Sequence, residues 1–110
     1  MRTTELPPAL LAGIAQRFKA LAEPTRLQLL QSLRDGEATV GELVRRTGLS
    51  QANVSKHLHL LLGLGFVARR KEGLFTYYRL ADREVLRLCE LMCGRIERET
   101  EARHRLLAGR

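Results

Sequence analysis

Cys89 and Cys93 stand four residues apart, a spacing that sets two thiols one turn apart on a single helix face. Two thiolates so placed can clamp a soft metal or a metalloid such as arsenite, or pair with thiols of a second chain. A disulfide within the helix is not expected, because β-carbons at this spacing lie about 5–6 Å apart against the roughly 3.5–4.5 Å of an unstrained bridge. Packing is the competing reading, since Cys89 falls in an apolar stripe and free cysteine is among the most often buried residues. A different chemistry is offered by Ser50, Gln51, Asn53, Ser55, Lys56 and His57, a polar run whose amides, hydroxyl groups and cation suit the hydrogen-bonding edges of bases. Arg69, Arg70 and Lys71 add three consecutive cations suited to phosphate. Catalysis is not expected. The chain has no glycine-rich phosphate loop, no nucleophile elbow and no histidine–carboxylate constellation, and His57, His59 and His104 form no ligating pair.

The charge distribution separates these groups. The 110 residues carry a formal charge of +7, with 19 Lys and Arg against 12 Asp and Glu. Residues 1–42 and 81–110 are each close to neutral. Between them Arg45, Arg46, Lys56, Arg69, Arg70, Lys71 and Arg79 face Glu72 alone, so nearly all the excess lies in the middle third. A field this localised suits a polyanion, although a solvated basic surface would look the same by charge alone. No apolar run reaches the roughly 18–20 residues of a membrane helix, and the opening Met-Arg-Thr-Thr-Glu-Leu-Pro-Pro has no signal-peptide core. A cytoplasmic location with reduced thiols and no membrane partner is therefore expected.

The elements that must position these residues can be read from periodicity. Leu10, Ile14, Phe18 and Leu21 repeat at helical spacing after Pro7-Pro8, giving a helix over about 8–22. Glu23-Pro24 breaks it and opens a second helix with Leu27, Leu30 and Leu33 inward, closed by Asp35-Gly36. Thr39 and Glu42 form a capping box for a short third helix with Val40, Leu43 and Val44 buried. Gly48 permits a sharp turn, Leu49 plugs the corner, and Ser50 caps a fourth helix with Val54, Leu58 and Leu61 inward. Residues 66–70 and 74–80 are rich in β-branched and aromatic side chains and flank Lys71-Glu72-Gly73, a hairpin with a basic tip. Val85, Cys89, Met92 and Ile96 mark a last helix from about 82 to 104, capped by Asp82. With 45% hydrophobic residues and no tryptophan, the whole is expected to be one mainly α domain with a small β-hairpin (α+β) spanning 1–110. Its order is that of a winged helix-turn-helix: the helix-turn-helix at 39–62, the wing at 66–80 and terminal helices at about 8–22 and 82–104.

The blocks Phe18-Lys19-Ala20-Leu21-Ala22-Glu23-Pro24-Thr25-Arg26-Leu27, Leu49-Ser50-Gln51-Ala52-Asn53-Val54-Ser55-Lys56-His57-Leu58, and Gly65-Phe66-Val67 through Tyr77-Tyr78-Arg79-Leu80 occur in this order. In them the chain resembles the arsenic-repressor type (ArsR/SmtB) of bacterial dimeric winged-helix repressors, over roughly residues 14–96. The resemblance implies a homodimeric repressor bound to an inverted-repeat DNA operator, its first and last helices paired across a two-fold axis, with ligand binding or thiol chemistry loosening its grip. The apolar residues are compatible with that pairing: Leu10, Ile14 and Phe18 are expected to meet Val85, Cys89, Met92 and Ile96 in a symmetric interface, unless both helices only wrap their own core. Two metal motifs of the family do not carry over. Thr39 and Gly41 stand where a Cys-x-Cys pair would begin the third helix, and Arg95 and Arg98 stand where the last helix would supply two of its four ligands. DNA binding requires no cofactor, and Cys89 and Cys93 remain as the candidate effector site for a thiol-reactive compound, a soft metal or a metalloid. Two alternatives stay open: a winged-helix module that docks on a protein, and a repressor without a ligand whose cysteines only pack.

Overall fold

The computed structural model describes residues 5–109, so residues 1–4 and 110 of the expected domain lie outside it. The order is α1 (Pro8–Leu21), α2 (Pro24–Ser32), β1 (Ala38–Thr39), α3 (Val40–Thr47), α4 (Gln51–Gly63), β2 (Val67–Glu72), β3 (Phe75–Leu80) and α5 (Glu84–Ala108). Local chemistry sets most of these boundaries. Pro8 and Pro24 occupy first-turn positions, where the missing N–H has no partner to lose. The Glu23 carboxylate accepts from the Arg26 N–H at 3.1 Å and caps α2. Thr39 and Glu42 form the reciprocal capping box, each side chain 3.1 Å from the other residue's backbone N–H. Gly48 ends α3 in the left-handed region at φ 74°, and the Ser50 hydroxyl accepts from the Asn53 N–H at 3.1 Å to start α4.

Leu29, Leu30, Leu33, Leu43, Val54, Leu58 and Leu61 form the centre of the core, joined by Leu21, Ala38, Val67, Tyr78, Val85 and Leu86. Leu49, expected to plug the corner of the turn, packs against this cluster, as do Leu27, Val40 and Val44 from its rim. α2, α3 and α4 therefore share one apolar centre, and the polar side of α4 is left outward.

Four boundaries differ from expectation. The sheet has three antiparallel strands in the order β1-β3-β2, where only a hairpin is legible in the sequence: Ala38 and Thr39 pair with Tyr78 and Tyr77. Two residues carry no periodicity, and their partners are distant in the chain. The hairpin itself is tighter, with Lys71 and Glu72 inside β2 and a two-residue turn at Gly73-Leu74. Gly73 has φ 61° at the first central position, the pattern of a type II′ turn. α2 ends at Ser32 rather than at Asp35-Gly36, its last turn tightening into i→i−3 bonds from Leu33 and Arg34. Asp82 accepts from the Glu84 N–H at 2.9 Å, one position ahead of the N-cap residue Arg83, and α5 runs on to Ala108.

α5 holds 25 residues, about 37 Å of helix at 1.5 Å per residue. It docks on the body through Val85 and Leu86 and then leaves it. The radius of gyration is accordingly 17.5 Å, well above the roughly 13 Å of a compact domain this size.

The capping box makes the start of α3 sensitive in two ways. Thr39→Ala is expected to lower unfolding stability by about 1 kcal/mol, measured by urea denaturation. The Thr39 backbone N–H and hydroxyl, with Arg46 and Arg45 nearby, hold the Glu42 carboxyl below the ordinary value of 4.5. The contribution of ionised Glu42 is present above that value and is lost as pH falls through the lower folded one. Glu42→Gln should therefore flatten the acid limb of the stability curve, and an unchanged limb would show that the box does not hold this charge.

Candidate nucleic-acid interface

The first turns of α4 present Gln51, Asn53, Ser55 and Lys56, all exposed, opposite the fully buried Val54, Leu58 and Leu61. Ser50 is exposed too, but its oxygen is engaged in the cap, which leaves its O–H to donate outward. Because the cap and the buried seam fix the helix, these side chains stand at the amino end of a rigid element. A helix held this way can enter a major groove with its N-terminal residues at base edges and its N–H groups toward phosphate.

His57 was expected on the same face and is not free there. It is half-buried, and its Nδ1 accepts from the Arg26 Nε–H at 3.2 Å. The guanidinium of Arg26 also donates to the Ala20 carbonyl at 3.1 Å, while its backbone N–H is held by Glu23. One side chain thus ties the end of α1 and the start of α2 to the middle of α4. The Nδ1 of His57 is therefore used within the chain, which departs from the free side chain expected at this position. Arg26 escaped the sequence reading because nothing local connects it to a residue 31 positions away.

In the wing, Arg69 and Lys71 are exposed on one side of β2. Arg70 points to the other side and is already occupied. Its Nε and Nη2 donate to both carboxylate oxygens of Glu37 at 2.9 and 2.5 Å, its Nη1 donates to Glu72 at 2.7 Å, and its guanidinium lies 4.6 Å from the centre of the Tyr77 ring. Hydrogen bonding from Arg70 holds Glu37 below the usual carboxylate range. Two carboxylates therefore hold the Arg70 fork, so its guanidinium is engaged within the chain rather than free for the expected phosphate contact. Glu37 and Tyr77 were not singled out beforehand.

The face of α1 and α5 is apolar and uncovered. Phe18, Met92 and Ile96 are 54%, 58% and 55% exposed, joined by Leu11, Leu88 and Leu91, which the sequence reading left aside. Leu10 and Ile14 are half-buried. Val85 departs from the expected interface set: at 4% exposure it belongs to the chain's own core. A groove of about 620 Å³ runs between the two helices, lined by Phe18, Leu27, Leu88, Cys89, Met92 and Ile96. Cys89 is half-buried at its edge and Cys93 is exposed. The Cys93 Sγ–H donates to Glu97 at 3.3 Å, and this bond and the carboxylate charge push the thiol's pKa up, away from the reactive thiolate. Among the described residues no three His, Cys, Asp or Glu side chains are gathered to hold a metal.

A capped, outward-facing helix over a basic two-stranded wing defines a winged helix-turn-helix DNA-binding regulator rather than an enzyme. Residues 23–69 match the family described as bacterial regulatory protein, arsR family, and the chain belongs to that family. It is 41% identical over 91 residues to a probable mercury resistance operon repressor of Streptomyces lividans, covering 83% of this chain and 73% of that protein. Among solved structures, it is similar to a homodimeric winged helix-turn-helix DNA-binding domain of Mycobacterium bovis, with TM-score 0.75 and 34% identity over 91% of this chain and 94% of that one. It is also similar to Rv0081 of Mycobacterium tuberculosis, with TM-score 0.77 and 31% identity over 89% and 98%. Among the described residues no helix is long and apolar enough to cross a membrane.

Arg26→Ala leaves the Ala20 carbonyl and the His57 nitrogen without their donor, and is expected to lower stability by about 1–3 kcal/mol in urea denaturation. Arg26→Lys, which keeps the charge but puts its donors on one nitrogen in place of the planar fork, should recover only part of the loss. Full recovery by lysine would mean that charge alone matters at this position.

Proposed function

We propose that the protein is a homodimeric transcriptional repressor that binds an inverted-repeat operator in bacterial DNA. The observation that carries this reading is the pairing of two uncovered surfaces on one rigid frame: the polar amino end of α4 beside Arg69 and Lys71, and the apolar face of α1 and α5. The second surface suits a second copy, since a protruding helix with Phe18, Met92 and Ile96 exposed gains by burying them. The homodimeric assembly of the Mycobacterium bovis relative supports it. Two-fold symmetry would then set two α4 helices about 34–36 Å apart, one DNA turn. Gln51 and Asn53 are proposed to read bases, and Ser50, Ser55, Lys56, Arg69 and Lys71 to hold bases or phosphates. The working compartment is the bacterial cytoplasm, where the DNA lies.

Selection from random duplexes followed by mobility shifts tests this. The expected product is an inverted repeat, bound orders of magnitude more weakly at 200 mM than at 50 mM salt. Gln51→Ala should remove about 1–3 kcal/mol of preference for operator over random DNA, while Lys71→Ala weakens both alike. Ile96→Glu should give a monomer by sedimentation and abolish operator binding. Salt-independent binding, or a monomeric wild type that binds one half-site, would overturn the reading.

A thiol-reactive effector or a soft metal or metalloid is a second element of the proposal, favoured by Cys89 and Cys93 lying with Met92 along the α1–α5 groove. Two thiols make an incomplete soft-metal site, so further donors would come from the second copy. Operator release by arsenite, cadmium and peroxide is expected in the wild type and lost in Cys89→Ser with Cys93→Ser. If both proteins respond alike, the thiols only pack.

A further inference from the structure

We infer that Arg70 is a positioning residue of the wing, and that its bidentate pairing with Glu37 fixes where Arg69 and Lys71 meet DNA. The inference deepens the DNA-binding proposal and rests on it. Three observations carry it. The wing is held only at its base, where Val67 and Tyr78 enter the core and β1 supplies two paired residues, whereas β2 reaches the tip with its outer edge unpaired. A hairpin so held can swing about its base, and the Arg70–Glu37 pair spans from that hairpin to the loop after α2, 33 residues away in sequence. The geometry is also the kind in which a surface ion pair counts, with a two-pronged contact, a second carboxylate from Glu72 and the Tyr77 ring beneath. Finally, alternation along β2 sends Arg69 and Lys71 to the side opposite Arg70, so anchoring one aims the other two.

Guanidinium geometry separates this role from phosphate binding. A lysine keeps the charge that a phosphate needs but cannot make the fork that Glu37 fills. Operator affinity and its salt dependence are to be measured for Arg70→Lys, Arg70→Ala, Glu37→Gln and the Glu37→Gln, Arg70→Lys double variant, with Lys71→Ala as the phosphate-contact standard. For a positioning role, Arg70→Lys and Arg70→Ala lose affinity to a similar extent, Glu37→Gln loses it too, and the double variant is no worse than Arg70→Lys. The slope of log K against log salt stays at the wild-type value in Glu37→Gln and Arg70→Lys, whereas Lys71→Ala lowers its magnitude by about 0.9 per copy. In the free protein, amide exchange of β2 and β3 rises in Glu37→Gln while that of α4 does not, which reports the loosened wing without reference to DNA. Wild-type affinity in Arg70→Lys, or tighter binding with a steeper slope in Glu37→Gln, would show Arg70 to be a masked phosphate contact and overturn the inference. A wild type that selects no operator removes the DNA-binding proposal, and this inference falls with it, whereas failure of the Arg70 variants alone leaves that proposal standing.

Discussion

Val54, Leu58 and Leu61 have no exposure to solvent, and the rest of the molecule is arranged around the seam they make. α4 has to give one face to the core shared with Leu29, Leu30, Leu33 and Leu43. At 3.6 residues per turn, that commitment turns Gln51, Asn53, Ser55 and Lys56 outward. The face proposed to read DNA is thus a by-product of packing: any rotation of α4 that changed what it presents would open the core. Ser50 and Gly48 add the axial constraint, one starting the helix and the other turning the chain into it.

Arginine does two unlike jobs on this frame. Arg69 is exposed, a cation free for a polyanion. Arg26 and Arg70 are bonded within the chain, their planar forks reaching a carbonyl and an imidazole in one case and two carboxylates in the other. The second use draws on the same property that makes arginine a good phosphate ligand, since a carboxylate offers the fork much the same pair of oxygens. Composition counts all of these as positive charge. Only the position of Glu37 and His57 in space separates the arginines bonded within the chain from Arg69.

α5 is the other place where one pattern serves two ends. Val85 and Met92 lie on the same apolar stripe, yet Val85 is buried in the core and Met92 is 58% exposed, because the body of the domain stops after the first turn of the helix. The exposed remainder runs along the groove with Phe18 and the two cysteines, so the surface proposed for the second copy and the candidate effector thiols coincide. The same α1 helix that lines this groove is joined to α4 at its carboxyl end, where Arg26 bonds the Ala20 carbonyl and His57.

Local relations were legible from the chain alone. The Thr39–Glu42 box, the Ser50 cap, the Gly48 turn, the buried face of α4 and the clustering of charge in residues 43–80 all rest on residues a turn apart or on composition, and each helix was expected within a few residues of where it lies. The tertiary structure decided the pairing of Ala38 and Thr39 with β3, the capture of His57 by Arg26 and of Arg70 by Glu37, and the division of the α5 stripe into core and open surface. The reason is physical. Helix periods and caps are written in neighbours because backbone hydrogen bonds reach only a few residues, whereas strand pairing and ion pairing depend on distances that exist only after the chain has folded back on itself.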